Sequence, residues 1–295
     1  MKIQLDCIPC QIRQTLAIAK KLTNDEDVIR KSLKEALNVA LTFEDHENIF
    51  SLYYAMQQIV KKINPDEDPY KNFKKQFNEI CLNIAPDLKK MAYDSSDIFN
   101  AGLRVSLSGN ALDVMQGGIL SEEYLRDAVR KSLLQKMDFK NVELLKQNIL
   151  NAKKILFIGD NAGEIVFDKI FIEILKDTIL KDCAGNEIIY SVRGGPSLND
   201  STFDDAIMVG MDKIVKVITT GVDLPGAYLP KCSREFNETY NRSDLIISKG
   251  QGNYEALLEE NKNIFFLLKI KCETILNFFN GRHKIGEVVV EHSKI

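Results

Sequence analysis

Through the first 150 residues the apolar positions recur at helical spacing. Ile12, Leu16, Ala17, Ala19 and Leu22 make one such series, which Asn24-Asp25 breaks. A second helix is predicted over 28–42, with Ile29, Leu33, Ala36, Leu37, Ala40 and Leu41 as its stripe. A third covers about 49–63 and stops before Asn64-Pro65. Pro69 opens a fourth, 70–84, and Pro86 starts a fifth over 88–93. Residues 97–115 form another helical tract, interrupted by Gly109-Asn110, and 122–135 reads as a short helix or a connection.

The pattern changes at Lys153. Lys-Ile-Leu-Phe-Ile-Gly-Asp (154–160) is a short apolar run bounded by polar residues, which suits a buried parallel strand, and an apolar helix follows over 165–175. Further strands are expected at 187–193, 213–219, 244–248 and 264–268. Strands alternating with helices imply βαβ units and a mostly parallel sheet. The expected organisation is a mostly helical part, 1–150, followed by an α/β part, 151–295.

Composition narrows the function classes. A chain of 295 residues with 45% hydrophobic content can bury its own core without disulfides or metals. Lys plus Arg is 39 against 42 for Asp plus Glu, a formal charge of −3, so no basic field points to nucleic acid. The aromatic residues fall at core-like spacing and make no nucleic-acid platform. No apolar run approaches the roughly 18 residues that span a bilayer; the longest, 264–268 and 288–290, are strand-sized. The N-terminus has no apolar signal core. The expectation is a cytoplasmic protein with neither membrane nor nucleic-acid partners. Cysteines 7, 10, 81, 183, 232 and 272 are dispersed and read as reduced thiols.

In an open α/β sheet, ligands bind beyond the carboxyl ends of the strands. Gly159, Asp160, Asn161, Ala162, Gly163 and Glu164 follow the first strand. Arg193, Gly194, Gly195, Asn199 and Asp200 follow the second, and Thr219-Thr220-Gly221 the third. The fourth leads into Ser248, Lys249, Gly250, Gln251, Gly252 and Asn253. Asp160, Asn161 and Asp200 are oxygen donors, suited to a hard divalent ion such as Mg²⁺ or Mn²⁺. Nearby glycines let backbone N–H groups approach an anion, Glu164 opens a helix, and Lys249 can neutralise a phosphoryl oxygen. Together these residues describe a phosphoryl-transfer site. Taken singly, each fragment is an ordinary turn or cap. There is no G-x-x-x-x-G-K-[ST] loop and no G-x-G-x-x-G after a strand, which disfavours Walker-type and dinucleotide enzymes.

Three segments carry a resemblance: Gly-Asp-Asn-Ala-Gly-Glu-Ile-Val-Phe-Asp (159–168), Arg-Gly-Gly-Pro-Ser-Leu-Asn-Asp (193–200) and Ser-Lys-Gly-Gln-Gly-Asn-Tyr-Glu (248–255). They resemble the domain-of-unknown-function 89 family, the metal-dependent damage-control phosphatases. Ser-Gly-Asn-Ala-Leu-Asp (108–113) is similar to a further family motif, and Cys7-Ile-Pro-Cys10 with Arg13 to the opening of the prokaryotic branch. The motifs keep their order from residue 5 to about residue 290.

The resemblance implies an all-α N-terminal domain joined to a Rossmann-like three-layer α/β domain. It also implies one divalent metal (Mn, Mg, Co or Ni) held by Asp160, Asn161 and Asp200. Lys249 is implied as a phosphate contact, and Asn110 and Asp113 as pocket residues of the helical part. Glu164, Arg193 and Asn253 complete the expected substrate-binding set, with Asp160 and Lys249 as the catalytic pair. The expected reaction is hydrolysis of a small phosphomonoester, a sugar phosphate or a related metabolite. Eukaryotic members carry Asp where this chain has Gln251, so that motif transfers no sugar-phosphate preference. Metal-activated water is the favoured nucleophile, since both aspartates are committed to the metal; a carboxylate forming a phosphoenzyme is the alternative.

Two other readings remain open at this level: a non-catalytic metal- or anion-binding module, and a methyltransferase on a Rossmann-like sheet. The Cys7-x-x-Cys10 pair has three readings, namely structural packing, a metal site completed by Cys81 and His46, or a redox pair.

Overall fold

The structure, a computed structural model, describes residues 1–65, 67–111, 121–181 and 185–293. Asp113 and Cys183 lie outside the described residues. The chain divides into two compact units, Met1–Lys71 and Asn72–Ile295.

The first unit holds helices α1 (Cys7–Leu22), α2 (Glu26–Leu41) and α3 (Ile49–Lys61). Each of the last two starts where a side chain takes orphan backbone donors. Asp25 accepts from the N–H groups of Asp27 and Val28, and Asn48 forms a capping box with Ser51. Ala19, Ala36, Phe50, Leu52 and Met56 are buried.

The second unit begins with α4 (Lys71–Tyr93), α5 (Ile98–Ala111), α6 (Glu122–Leu133) and α7 (Phe139–Asn151). The two helices expected on either side of Pro86 are one. An interior proline costs about 3 kcal/mol, but Phe77, Cys81 and Ile84 before it and Ala92 after it are all buried. Burial along one face outweighs the lost hydrogen bond. Helix α7 had no counterpart in the sequence reading; it is capped by Asp138 and buries Val142, Leu145 and Ile149.

The α/β part runs β1 (Lys154–Ile158), α8 (Glu164–Ile174), β2 (Glu187–Val192), α9 (Phe203–Val209), β3 (Lys216–Thr219), α10 (Arg234–Arg242), β4 (Leu245–Lys249), α11 (Gln251–Leu257), β5 (Ile264–Lys269), α12 (Glu273–Leu276) and β6 (Val288–His292). The sheet order is β3-β2-β1-β4-β5-β6. β1 to β5 are parallel, and β6 is antiparallel to β5 with Leu267 opposite Val290. This last strand is an addition to the five expected. In β1 residues 155–158 are all buried, as a central parallel strand requires.

The chain moves one way from β1 to β3, then returns to β4 on the other side of β1. Right-handed crossovers therefore put α8 and α9 on one face and α10 and α11 on the other. The carboxyl ends of β1 and β4 flank the point where strand order reverses, the usual ligand crevice of such sheets. The change from helix to alternating elements comes at Lys154, whereas the compact units divide at Lys71. The reason is packing: Phe77, Leu103, Leu125 and Leu145 share one core with Phe157, Ile165 and Val290.

Candidate active site

Two antiparallel helices build the floor. Asn110 on α5 donates to Glu164 on α8, and one turn away Ser106 donates to Asp168 at 2.5 Å. Glycines let the helices approach. A Cβ on Gly109 would lie 3.1 Å from the Glu164 Cα, and one on Gly102 would lie 2.8 Å from the end of Ile174.

The loop after β1 is locked from several sides. Ser201 donates its N–H and its hydroxyl to the Asp160 carbonyl, and the Ala162 N–H donates to the Asn199 carbonyl at 2.9 Å. Asn161 and Asp200 pair as an isolated β-bridge. Gly163, at φ 76°, donates to Asn78 Oδ1 at 2.6 Å. Only glycine suits this turn, because a Cβ would collide with the Phe77 ring at 2.7 Å.

Arg193, at the end of β2, lies wholly inside this constellation. Its Nε donates to Asp200 Oδ2 at 2.5 Å and its Nη1 to Asn253 Oδ1 at 3.0 Å. Nη2 stands 3.5 Å from Asp160 Oδ1 and makes no hydrogen bond among the described residues. The Asn161 amide donates to Asp160 Oδ2 (2.9 Å) and Glu164 Oε1 (2.7 Å). Asn110 Oδ1 is buried and has no hydrogen-bond partner among the described residues.

Three carboxylates are thus buried together. Burial, and then the charge of Asp200, push Asp160 up to about 7. Burial, and then the charge of Asp160, push Glu164 up to about 8. Asp200 is also raised by burial, with the Arg193 guanidinium pulling against it. Carboxylates held above their ordinary range by desolvation and mutual repulsion are poised to gain from a cation.

The donor set fits a hard divalent ion. Asp160 and Asp200 supply carboxylate oxygens, and Asn161 Oδ1 accepts no hydrogen bond among the described residues. Among those residues no group of three or more His, Cys, Asp or Glu side chains is gathered to hold an ion, so the amide oxygen and water would complete such a shell.

Two expected substrate contacts have other partners. The Lys249 ammonium is fully buried and gives its three hydrogens to the Ser106 carbonyl (2.7 Å), the Ser106 hydroxyl (2.9 Å) and Asp168 (2.6 Å). Asp168 also accepts from Tyr190 at 2.9 Å. Asn253 spends its amide on the Gly159 (3.0 Å) and Lys249 (2.7 Å) carbonyls, and its oxygen accepts from Arg193 and the Ala227 N–H. It ties the ends of β1, β2 and β4 to one another.

The sequence reading missed Lys271, Asp168, Ser106 and Asn78. Lys271 lies beyond a fifth strand end, where its charge favours the ionised forms of Asp160, Glu164 and Asp200. Its position after β5 was the available signal. Its N–H donates to Gln251 Oε1 at 3.2 Å, and Gln251 also donates to Glu255 and to the Cys272 sulfur.

The profile of the damage-control phosphatase ARMT1-like domain matches residues 3–284. The chain belongs to that family. A damage-control phosphatase of Pyrococcus horikoshii is 33% identical over 279 residues, covering 93% of each chain. One of Archaeoglobus fulgidus is 31% identical over 279 residues, 93% of this chain and 94% of its own. An uncharacterized protein of Methanocaldococcus jannaschii is 34% identical over 284 residues, 93% and 91% of the two chains. A crystal structure of a domain-of-unknown-function 89 family protein from P. horikoshii superposes with a TM-score of 0.87 at 31% identity over 100% of both chains. The α/β fold and the family expected from the motifs are therefore shown. Family membership makes the chain a phosphatase.

Proposed function

We propose that this phosphatase hydrolyses phosphomonoesters of small metabolites at the carboxyl rim of its sheet, using one divalent cation (Mn, Mg, Co or Ni). Asp160, Asn161 and Asp200 would hold the cation, which when bound supplies Lewis-acid polarisation of a phosphoryl oxygen. The observation that carries this reading is the burial of Asp160, Glu164 and Asp200 beside Arg193. These buried carboxyls lie next to a guanidinium whose Nη2 makes no hydrogen bond among the described residues.

Each nearby group has a task in this reading. Arg193 Nη2 would donate to a phosphoryl oxygen while its Nε orients Asp200. Lys271 would offset the charge of the incoming anion. Asn110 and Asn161 hold the Glu164 carboxyl in place, and Lys249, with Asn253, fixes the strand ends from inside. Asp113 is proposed as a pocket residue on sequence grounds. The dispersed cysteines support a cytoplasmic setting. Among the described residues, no helix is long and apolar enough to cross a membrane.

The test is phosphate release from a panel of phosphomonoesters by metal-stripped protein re-supplied with each ion, beside Asp160→Ala. Metal-dependent release that disappears in the variant is expected. Release that needs no metal, or that survives in Asp160→Ala, removes this assignment of the site.

A further inference from the structure

Cys7 and Cys10 stand outside everything assigned so far. They occupy the first turn of α1, with Pro9 between them. Packing does not account for them. The buried face of α1 carries Gln11, Thr15 and Ala19, whereas Cys10 is exposed and Cys7 half-buried. A metal shell is not assembled around them either. Among the described residues no group of three or more metal-ligating His, Cys, Asp or Glu side chains is formed, and Cys81 belongs to the core of the other compact unit.

The local geometry suits a disulfide. Residues three apart in a helix lie on one face. A rise of about 1.5 Å and a rotation of about 100° per residue, on a radius of about 2.3 Å, put their Cα atoms about 5 Å apart. Disulfides span Cα separations of about 4.4–6.8 Å, so the Cα spacing across this turn suits the bond, and the Cβ atoms, about 5–6 Å apart in a regular helix, reach its span of about 3.5–4.5 Å by a small adjustment of this first turn. Gln14 Nε2 donates to the Cys10 sulfur at 3.8 Å.

We propose that Cys7 and Cys10 form a dithiol–disulfide pair that exchanges with low-molecular-weight disulfides, an activity beyond phosphate hydrolysis. The exposed Cys10 thiolate attacks one sulfur of R–S–S–R. That bond breaks, a mixed disulfide forms on Cys10, and the departing R–S⁻ takes up the Cys10 proton. The Cys7 thiolate then attacks the Cys10 sulfur, closing the Cys7–Cys10 bond and expelling a second R–S⁻, which takes the Cys7 proton. The pair loses two electrons and two protons, and R–S–S–R becomes two R–SH.

The full chain is equilibrated in glutathione buffers of graded ratio, quenched in acid, alkylated, digested and analysed by mass. Cys7→Ser and Cys10→Ser variants run in parallel. The N-terminal peptide is expected to lose two hydrogens as an internal disulfide, reversibly with dithiothreitol, and to lose alkylation at both sites. Cys7→Ser should stop at a glutathione adduct on Cys10, and Cys10→Ser should form no internal bond. A peptide that stays a dithiol at every ratio, or carries only glutathione adducts in the unsubstituted chain, overturns the proposal. So does zinc that co-purifies on the pair and blocks its alkylation.

Discussion

Gly250 packs its backbone directly against the Asp160 carboxylate: a Cβ at this glycine would stand 1.9 Å from Asp160 Oδ2. Its φ of 80° is also one that side chains rarely adopt. The end of β4 thus forms one wall of the proposed cation site, and no other residue type fits there. Gly250→Ala should therefore cost about 1–3 kcal/mol in backbone strain. By displacing Asp160 it should lower metal-dependent turnover about 100-fold. Urea unfolding and phosphate release check the two effects, and wild-type turnover in the variant would contradict this account of the wall.

Stability of the metal-free protein should fall as pH rises. Asp160 and Glu164 are raised to about 7 and about 8, mainly by burial, above the unfolded carboxylate range near about pH 4. Between those limits the folded state binds more protons than the unfolded state, so raising pH favours unfolding until both groups ionise. Melting temperature should decline from about pH 5 to pH 8, less steeply in Glu164→Gln. Added Mn²⁺ should raise it more at the upper end of that range. A flat profile in the metal-free protein would count against buried, raised carboxyls.

Asn253 should behave as a clamp. Its side chain makes four hydrogen bonds that join Gly159, Lys249, Arg193 and Ala227. Asn253→Ala strands several buried polar groups and should cost about 3 kcal/mol or more. It should also weaken metal binding, measured by titration calorimetry. A variant with unchanged stability and only a raised KM would instead make Asn253 a substrate contact.

Lys249 and Asp168 are a buried ion pair, both essentially inaccessible. Removing one partner leaves a lone charge, so Lys249→Met or Asp168→Asn alone should cost about 3–5 kcal/mol. The double variant should cost less than the sum of the singles, with a coupling of about 1–3 kcal/mol. Additive losses in the cycle would show that the two act independently.

The two helical glycines of α5 should respond differently. Gly109→Ala drives a methyl toward the Glu164 Cα and Cβ, which cannot move without shifting α8. Gly102→Ala meets the flexible end of Ile174 at 2.8 Å and the edge of the Phe171 ring at 3.2 Å. Alanine regains about 1 kcal/mol of helix propensity at either site. Gly102→Ala should therefore cost less by thermal melting than Gly109→Ala, which should also lose activity.

Much of this molecule was legible in the chain. Short apolar runs and period-three-to-four patterns depend on near neighbours, so the helices of the first unit and the five parallel strands could be read directly. The strand-end motifs carried Asp160, Asn161, Arg193 and Asp200 to one rim for the same reason: each lies within a few residues of a strand end, and a parallel sheet aligns those ends. The run 288–290 was legible as strand-sized, but its antiparallel pairing with β5 escaped, as did the helix α7, because both depend on packing against the sheet rather than on local pattern. Pro86 misled for the converse reason, since a local helix breaker was overruled by burial.

What the sequence determined by itself was the family, the class of fold and which polar residues gather at the rim. Only the tertiary structure decided what those residues face. The lysine after β4 reads as a free charge in the chain, yet Ser106 and Asp168, from two helices remote in sequence, take all its hydrogens. Asn253 likewise reads as a binding residue until the carbonyls of Gly159 and Lys249 are beside it. Hydrogen-bond partners and burial depend on distances between elements, which no local pattern encodes. They decide whether a polar side chain is offered to a ligand or spent on holding the site together.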